Sequence, residues 1–242
     1  MTARGKRSDP MKKLICILLL FALLLTTALC ASCGKKETDD ALATIQKWQS
    51  TYTAGDFGIR SKKNPFVEIT LGTGETIRLE LYPSVAPRSV ENFITYVEEG
   101  FYEGVAFHRI IEGKMIQTGG FVIEDGAFVH KTATHDAIKG DFRANGVNNS
   151  LAHTRGVISM ARTTVYDSAT SQFFICSDSV PSWDGQYAAF GCVIDEESMA
   201  VVSRLEKLET HEETLYYGNS GSNAQDVPIP HVIIKKVTLV KV

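Results

Sequence analysis

From about residue 65 onward the chain is punctuated into short, strand-length apolar runs, with room for only two helices. Val67, Ile69 and Leu71 alternate with polar residues, Gly72-Thr-Gly-Glu75 supplies a turn, and Ile77, Leu79 and Leu81 alternate again. That is the pattern of a hairpin with one buried face. Further runs follow at Ala106–Ile111, Met115–Gln117, Val157–Met160, Gln172–Cys176, Ala188–Ile194 and Val232–Val242. Pro87 sits where a first helical turn tolerates it, Val90, Phe93, Ile94 and Val97 follow at helical spacing, and Gly100 closes the segment. A second helix is predicted from about Glu197 to Leu208, with Asp195, Glu196 and Glu197 near its positive end. Many short strands with two helices predict a mainly β fold, a closed eight-stranded antiparallel barrel capped by the helices. An open α/β sheet needs more strand–helix alternation than this. The stretch from Ile123 to Leu151 is rich in Gly, Asn, Asp and His and reads as an excursion over the surface at the rim of a groove.

The first 33 residues stand apart. Met11-Lys-Lys opens a basic region, and the apolar run from Leu14 to Leu29 is short for a spanning helix, which needs about 20 residues. Ala31-Ser32-Cys33-Gly34 resembles a bacterial lipobox, although Cys30 stands where the pattern usually has Leu. A lipid on the sulfur of Cys33 is therefore expected, with an uncleaved anchor or an ordinary cut near Ala31 as alternatives. All three put the folded part outside the cytoplasm. Residues 34–64 read as a polar tether and 65–242 as the folded domain.

Composition removes other classes. Residues 34–242 carry 20 basic and 27 acidic side chains, net −7, with no basic stripe, which argues against nucleic-acid binding by backbone neutralisation. Cys176 and Cys192 lie in apolar strands and read as small buried core residues rather than a disulfide, though an extracytoplasmic pair is open to oxidation. His130 and His135, five apart with no Cys or acid pattern around them, do not make a metal site, and no cofactor is expected. A hydrolase finds no Gly-x-Ser-x-Gly element here.

Two blocks carry the chemistry: Phe107-His-Arg-Ile-Ile-Glu-Gly-Lys-Met-Ile-Gln-Thr-Gly-Gly120, and Ser159-Met-Ala-Arg162 followed by Ser171-Gln-Phe-Phe-Ile-Cys176. Each sets one or two polar donors (Arg109, Gln117, Arg162, Gln172) into apolar strands. Such a surface suits gripping and twisting an apolar group more than breaking a bond. With Val85-Ala-Pro-Arg-Ser-Val-Glu-Asn-Phe93, Gly156-Val-Ile-Ser-Met-Ala161 and Asp184-Gly-Gln-Tyr-Ala-Ala-Phe-Gly191, the blocks resemble the cyclophilin family of peptidyl-prolyl isomerases over roughly Pro65 to Val242.

The resemblance implies an eight-stranded barrel with two capping helices, and rotation of Xaa-Pro bonds in exported proteins as the activity. The partners it implies are proline-containing peptide segments and, through the lipid, a membrane; a monomer is the default. Arg109 matches the family's catalytic arginine, with Gln117 and Phe174 beside it. Met115, Ala161, Arg162, Gln172, Trp183, Tyr187 and His108 match substrate-binding positions. As a lone histidine beside an apolar strand, His108 reads as structural rather than as an acid–base group. The chain departs from the family at Lys114, where an aromatic wall is usual, and at Ser182, where many members have a Trp that contacts cyclosporin. Weak cyclosporin inhibition is therefore expected, and a proline-binding module without turnover is the alternative function.

Overall fold

The computed structural model describes residues 64–240; the apolar leader, Cys33 and nearly all of the tether lie outside the described residues. Asn64, assigned above to the tether, instead belongs to the fold. It is buried and its Nδ2 donates to Glu80 Oε1 at 2.9 Å.

The main sheet has eight antiparallel strands. In chain order they are β1 (Phe66–Leu71), β2 (Thr76–Leu81), β3 (Arg109–Ile111), β4 (Met115–Thr118), β7 (Val157–Met160), β8 (Phe173–Cys176), β9 (Ala189–Val193) and β12 (Ile234–Val240). They lie in the order β12-β1-β2-β9-β7-β8-β4-β3. The two ends of this order meet through the segment before β3. Gly104 N donates to Ile234 O at 2.9 Å, Ile234 N to Val105 O at 2.8 Å and Phe107 N to Val232 O at 2.9 Å. The sheet is thus closed into the expected barrel.

Side-chain alternation then separates an inner from an outer face. One inner row runs Leu81, Gly191, Ile158, Ile175, Ile116, Ile110 from strand to strand. All five large members of that row are at most 2% exposed. Gly191 is required where it stands, because a Cβ there would come within 2.5 Å of Glu80 O.

Two helices complete the enclosure. The first, α1 (Pro87–Glu98), starts on Pro87, whose fixed φ suits a first turn. Its Phe93 meets Phe173 edge-to-face at 5.2 Å and Phe190 at 5.3 Å. The N-cap residue, Ala86, offers no side-chain acceptor. Asp141, fully buried, does that work from the middle of the 123–151 excursion, accepting from Ser89 N at 2.9 Å and from Arg88 at 2.9 Å. The second, α2 (Glu196–Leu205), is capped by Asp195, which accepts from Ser198 N at 2.7 Å, and buries Met199, Val202 and Leu205.

A second sheet was not predicted. It has four strands in the order β11-β10-β6-β5: β5 (Phe121–Glu124), β6 (Ala127–His130), β10 (Glu209–Tyr217) and β11 (Ser220–Ile229). The start of the excursion is therefore a hairpin, and the segment after α2 is another. Ala106, Phe121, Phe128, Leu215 and Val227 form the small core that fastens this sheet to the barrel.

Candidate active site

The inner row has a counterpart one residue over, on the outer face. Arg109 pairs with Gln117, Gln117 with Phe174, and Phe174 with Ser159, so four side chains from β3, β4, β8 and β7 stand in one line. Around this line lies a hollow of about 440 Å³ lined by Arg109, Met115, Gln117, Ala161, Arg162, Phe174, Trp183 and Tyr187. A second hollow of about 710 Å³ shares Gln117, Ala161 and Arg162 with the first, and adds Gln172, His130 and Tyr217 among others. Every substrate-binding residue named from the sequence lines one or the other, except His108.

The floor and walls of the first hollow are apolar and aromatic. Phe174 lies 5.0 Å from Trp183 and 5.9 Å from Tyr187, both nearly perpendicular to it, and Met115 packs in the same cluster. The local sequence allows this because β8 is buried on both faces: Phe173 and Ile175 point inward, Phe174 and Cys176 outward under the Trp183–Tyr187 loop. Cys176 and Cys192 are both buried and not joined in a disulfide, and burial pushes the Cys176 thiol up, so it is inert. Lys114 is exposed and absent from the lining, with Trp183 among the walls instead.

The polar rim is fixed from behind. Gln117 Nε2 donates to Gln172 Oε1 at 3.0 Å. This requires Gly119 and Gly120: Gly119 has φ +98° and a Cβ there would lie 2.5 Å from Ser171 O, while one on Gly120 would overlap the Gln172 side chain. Arg162 is a wall. Its Nε and Nη2 donate to Gln186 O at 3.2 and 2.9 Å, its Nη1 to Thr163 O at 2.8 Å, and its plane meets Tyr187 at 4.6 Å, Tyr166 at 5.0 Å and Phe142 at 5.2 Å. Arg109 differs. Its side chain is 46% exposed, and among the described residues its only hydrogen bond is from Nε to Asp226 Oδ2 at 3.4 Å.

His108 sits behind this surface, 4% exposed, with its ring 4.7 Å from Phe121 and its Nδ1 unpartnered. Burial, with the charge of Arg109 adding, lowers its pKa to about 3, so it is neutral at ordinary pH and cannot act as an acid. Another histidine went unnoticed in the sequence. His153 Nε2 lies 3.0 Å from Ser159 Oγ and its Nδ1 3.1 Å from Asp184 Oδ1. This has the outline of a nucleophilic triad, but Ser159 has no exposed surface and a carbonyl cannot reach it. The chain instead fixes β7 to the Trp183–Tyr187 loop beneath Phe174. His153, Asp184 and Ser159 are 31 residues apart at most and in no motif, so spacing alone could not unite them.

The chain belongs to the cyclophilin-type peptidyl-prolyl cis-trans isomerase family: the family model "Cyclophilin type peptidyl-prolyl cis-trans isomerase/CLD" matches residues 66–239. It is 39% identical over 173 residues to peptidyl-prolyl cis-trans isomerase B of Escherichia coli, covering 67% of this chain and 93% of that one. It is 38% identical over 180 residues to peptidyl-prolyl cis-trans isomerase A of Dickeya dadantii, covering 72% and 84%. Among solved structures, a cyclophilin-type isomerase of Cryptosporidium parvum superposes with a TM-score of 0.52 at 25% identity, over 73% of this chain and 97% of that one. The enzyme class is therefore peptidyl-prolyl cis-trans isomerase.

Proposed function

We propose that the protein accelerates rotation about Xaa-Pro bonds in exported proteins, with Arg109 stabilising the twisted amide, and that a lipid on Cys33 holds it at the outer face of a cell membrane. The observation that carries the mechanism is the line Arg109, Gln117, Phe174 across three neighbouring strands, with the apolar hollow beside it. Unaided rotation takes tens to hundreds of seconds because it breaks amide resonance. At the halfway twist the proline nitrogen becomes pyramidal and regains a lone pair, which the planar amide lacks. A guanidinium aimed at that nitrogen bonds the twisted state more strongly than the ground state, which is what acceleration requires.

One charge-assisted hydrogen bond is worth about 1.5–3 kcal/mol, or about ten- to a hundredfold in rate. The rest falls to the hollow, where Met115, Phe174, Trp183 and Tyr187 grip the ring while the preceding carbonyl turns. Gln117, held by Gln172, presents its amide to the peptide backbone. The Cryptosporidium parvum relative was also crystallised in the presence of the dipeptide Ala-Pro, which is consistent with a hollow of this kind taking proline.

A protease-coupled isomerisation assay on the full chain tests the mechanism: Arg109→Ala is expected to lower kcat/KM about ten- to a hundredfold; a variant as fast as wild type would remove Arg109 from the mechanism, and no acceleration by either protein would leave a binding module only. Lys114, the residue that favoured such a module, is exposed and does not line the hollow. Attachment is tested separately, by asking whether Cys33→Ala abolishes incorporation of a radiolabelled fatty acid.

A further inference from the structure

The strand β11 is irregular at one place. His211 of β10 faces Val227 and Glu213 faces Ala224, so the one residue between them on β10, Glu212, is matched by two on β11. The extra length falls at Gln225 and Asp226. A bulge of this kind re-aims a side chain and is over-represented beside active sites. Here the re-aimed side chain reaches Arg109: Asp226 Oδ2 accepts from Arg109 Nε at 3.4 Å.

The geometry points to Asp226 as a positioning residue for Arg109, an inference that rests on Arg109 acting on the twisted amide. Arginine is long and flexible, and β3, an edge element of three residues, offers it no other hydrogen bond among the described residues. A guanidinium free to wander would spend much of its time away from the proline nitrogen, and ordering it in each turnover would raise the barrier. Asp226 engages Nε, the nitrogen nearest the strand. That leaves both Nη groups unbonded at the edge of the hollow that Arg109 helps to line.

The anchor is itself well held. Val227 next to it is fully buried with Phe121 and Phe128, and β10 pairs with β6 through Leu215↔Phe128 and Tyr216↔Val129. Asp226 thus stands on a fixed support and leans toward β3. The pair is 46% and 40% exposed, and ion pairs of that kind contribute little to folding. Removing Asp226 therefore tests positioning without unfolding the protein.

The experiment measures kcat and KM of the full chain as wild type, Asp226→Ala, Arg109→Ala and the double variant, on an uncharged proline peptide. Asp226→Ala is expected to lower kcat about two- to tenfold, the cost of ordering one long side chain, with KM within about twofold of wild type. The same substitution in the Arg109→Ala background is expected to change nothing, because the group it positions is gone. Asp226→Asn, of equal size and still an acceptor at Oδ1, is expected to lower kcat less than alanine does, and it serves in the same cycle should Asp226→Ala fail to fold. An unchanged or raised kcat, a loss in KM alone, or an equal loss in both backgrounds overturns the inference. If Arg109→Ala is impaired and the Asp226 variants are not, positioning fails while the proposed function stands. If Arg109→Ala keeps full rate, both fall.

Discussion

Gln117 and Gln172 are joined by a 3.0 Å hydrogen bond at the boundary between two hollows, so the amide that faces the first hollow is held by the side chain that lines its neighbour. Gln117→Glu replaces the donor with a carboxylate oxygen opposite Gln172 Oε1 and puts a negative charge beside Arg109. About ten- to a hundredfold loss of kcat/KM is expected, the scale of one charged hydrogen bond, and steady-state kinetics on a single peptide will read it. An unaffected enzyme would show that the amide merely fills space.

The rate should be nearly flat between about pH 6 and 9. A guanidinium does not titrate in that range, and His108 is shut away from the hollow and titrates only near 3. His130, which edges the second hollow, is lowered from its ordinary value by burial, which moves its titration toward the acid side of that window. A bell-shaped profile of kcat/KM would instead place an acid–base group in the mechanism.

Stability, unlike rate, should respond to acid. The folded protein keeps His108 neutral down to about pH 3, and burial lowers His153 as well, whereas in the unfolded chain each takes up a proton near 6.5. The unfolded state therefore binds more protons below 6.5, so the stability these residues contribute is complete above that pH and is lost as pH falls below it, for His108 down to about 3. Each group fully protonated only when unfolded costs about 1.4 kcal/mol per pH unit. Urea unfolding from pH 7 to 4 should show this slope, and His108→Gln should reduce it by about one proton's worth. An identical slope in the variant would count against the burial argument.

Trp183 walls the hollow in contact with Phe174 and Tyr187. Trp183→Ala should raise KM by about five- to thirtyfold and affect kcat less, since it removes part of a large apolar contact made with substrate and twisted state alike. A proline peptide should also perturb the fluorescence of this indole.

Cyclosporin should inhibit weakly. Ser182 is exposed, and the indole beside it, on Trp183, belongs to the lining of the hollow. An inhibition constant below about 1 μM would overturn this expectation.

The barrel was legible because its strands carry apolar side chains at every second position, or at every position where both faces are covered. Val67, Ile69 and Leu71 show the first pattern and Phe173 to Cys176 the second. The second sheet was not, for the complementary reason. β10 reads Glu-Thr-His-Glu-Glu-Thr-Leu-Tyr-Tyr and buries only Leu215, and β11 buries only Val227 and Pro228. A strand with almost no apolar face leaves no period to detect. Asp226 was invisible with it, since a bulge is a property of pairing and not of composition. The site residues on β3, β4 and β8 were found because they form contiguous blocks. His153, Asp184 and Ser159 were not, because folding alone assembles them.

The hydrogen bonds from Gly104 and Phe107 to Ile234 and Val232 cover the outer side of β12 at its start. An isomerase with that margin bare would offer it as a template, and a peptide strand could zip onto it and stay. Where the wall is sewn shut in this way, a visiting backbone finds nothing to extend. A peptide that cannot add itself to the sheet there can be let go as readily as it was taken up.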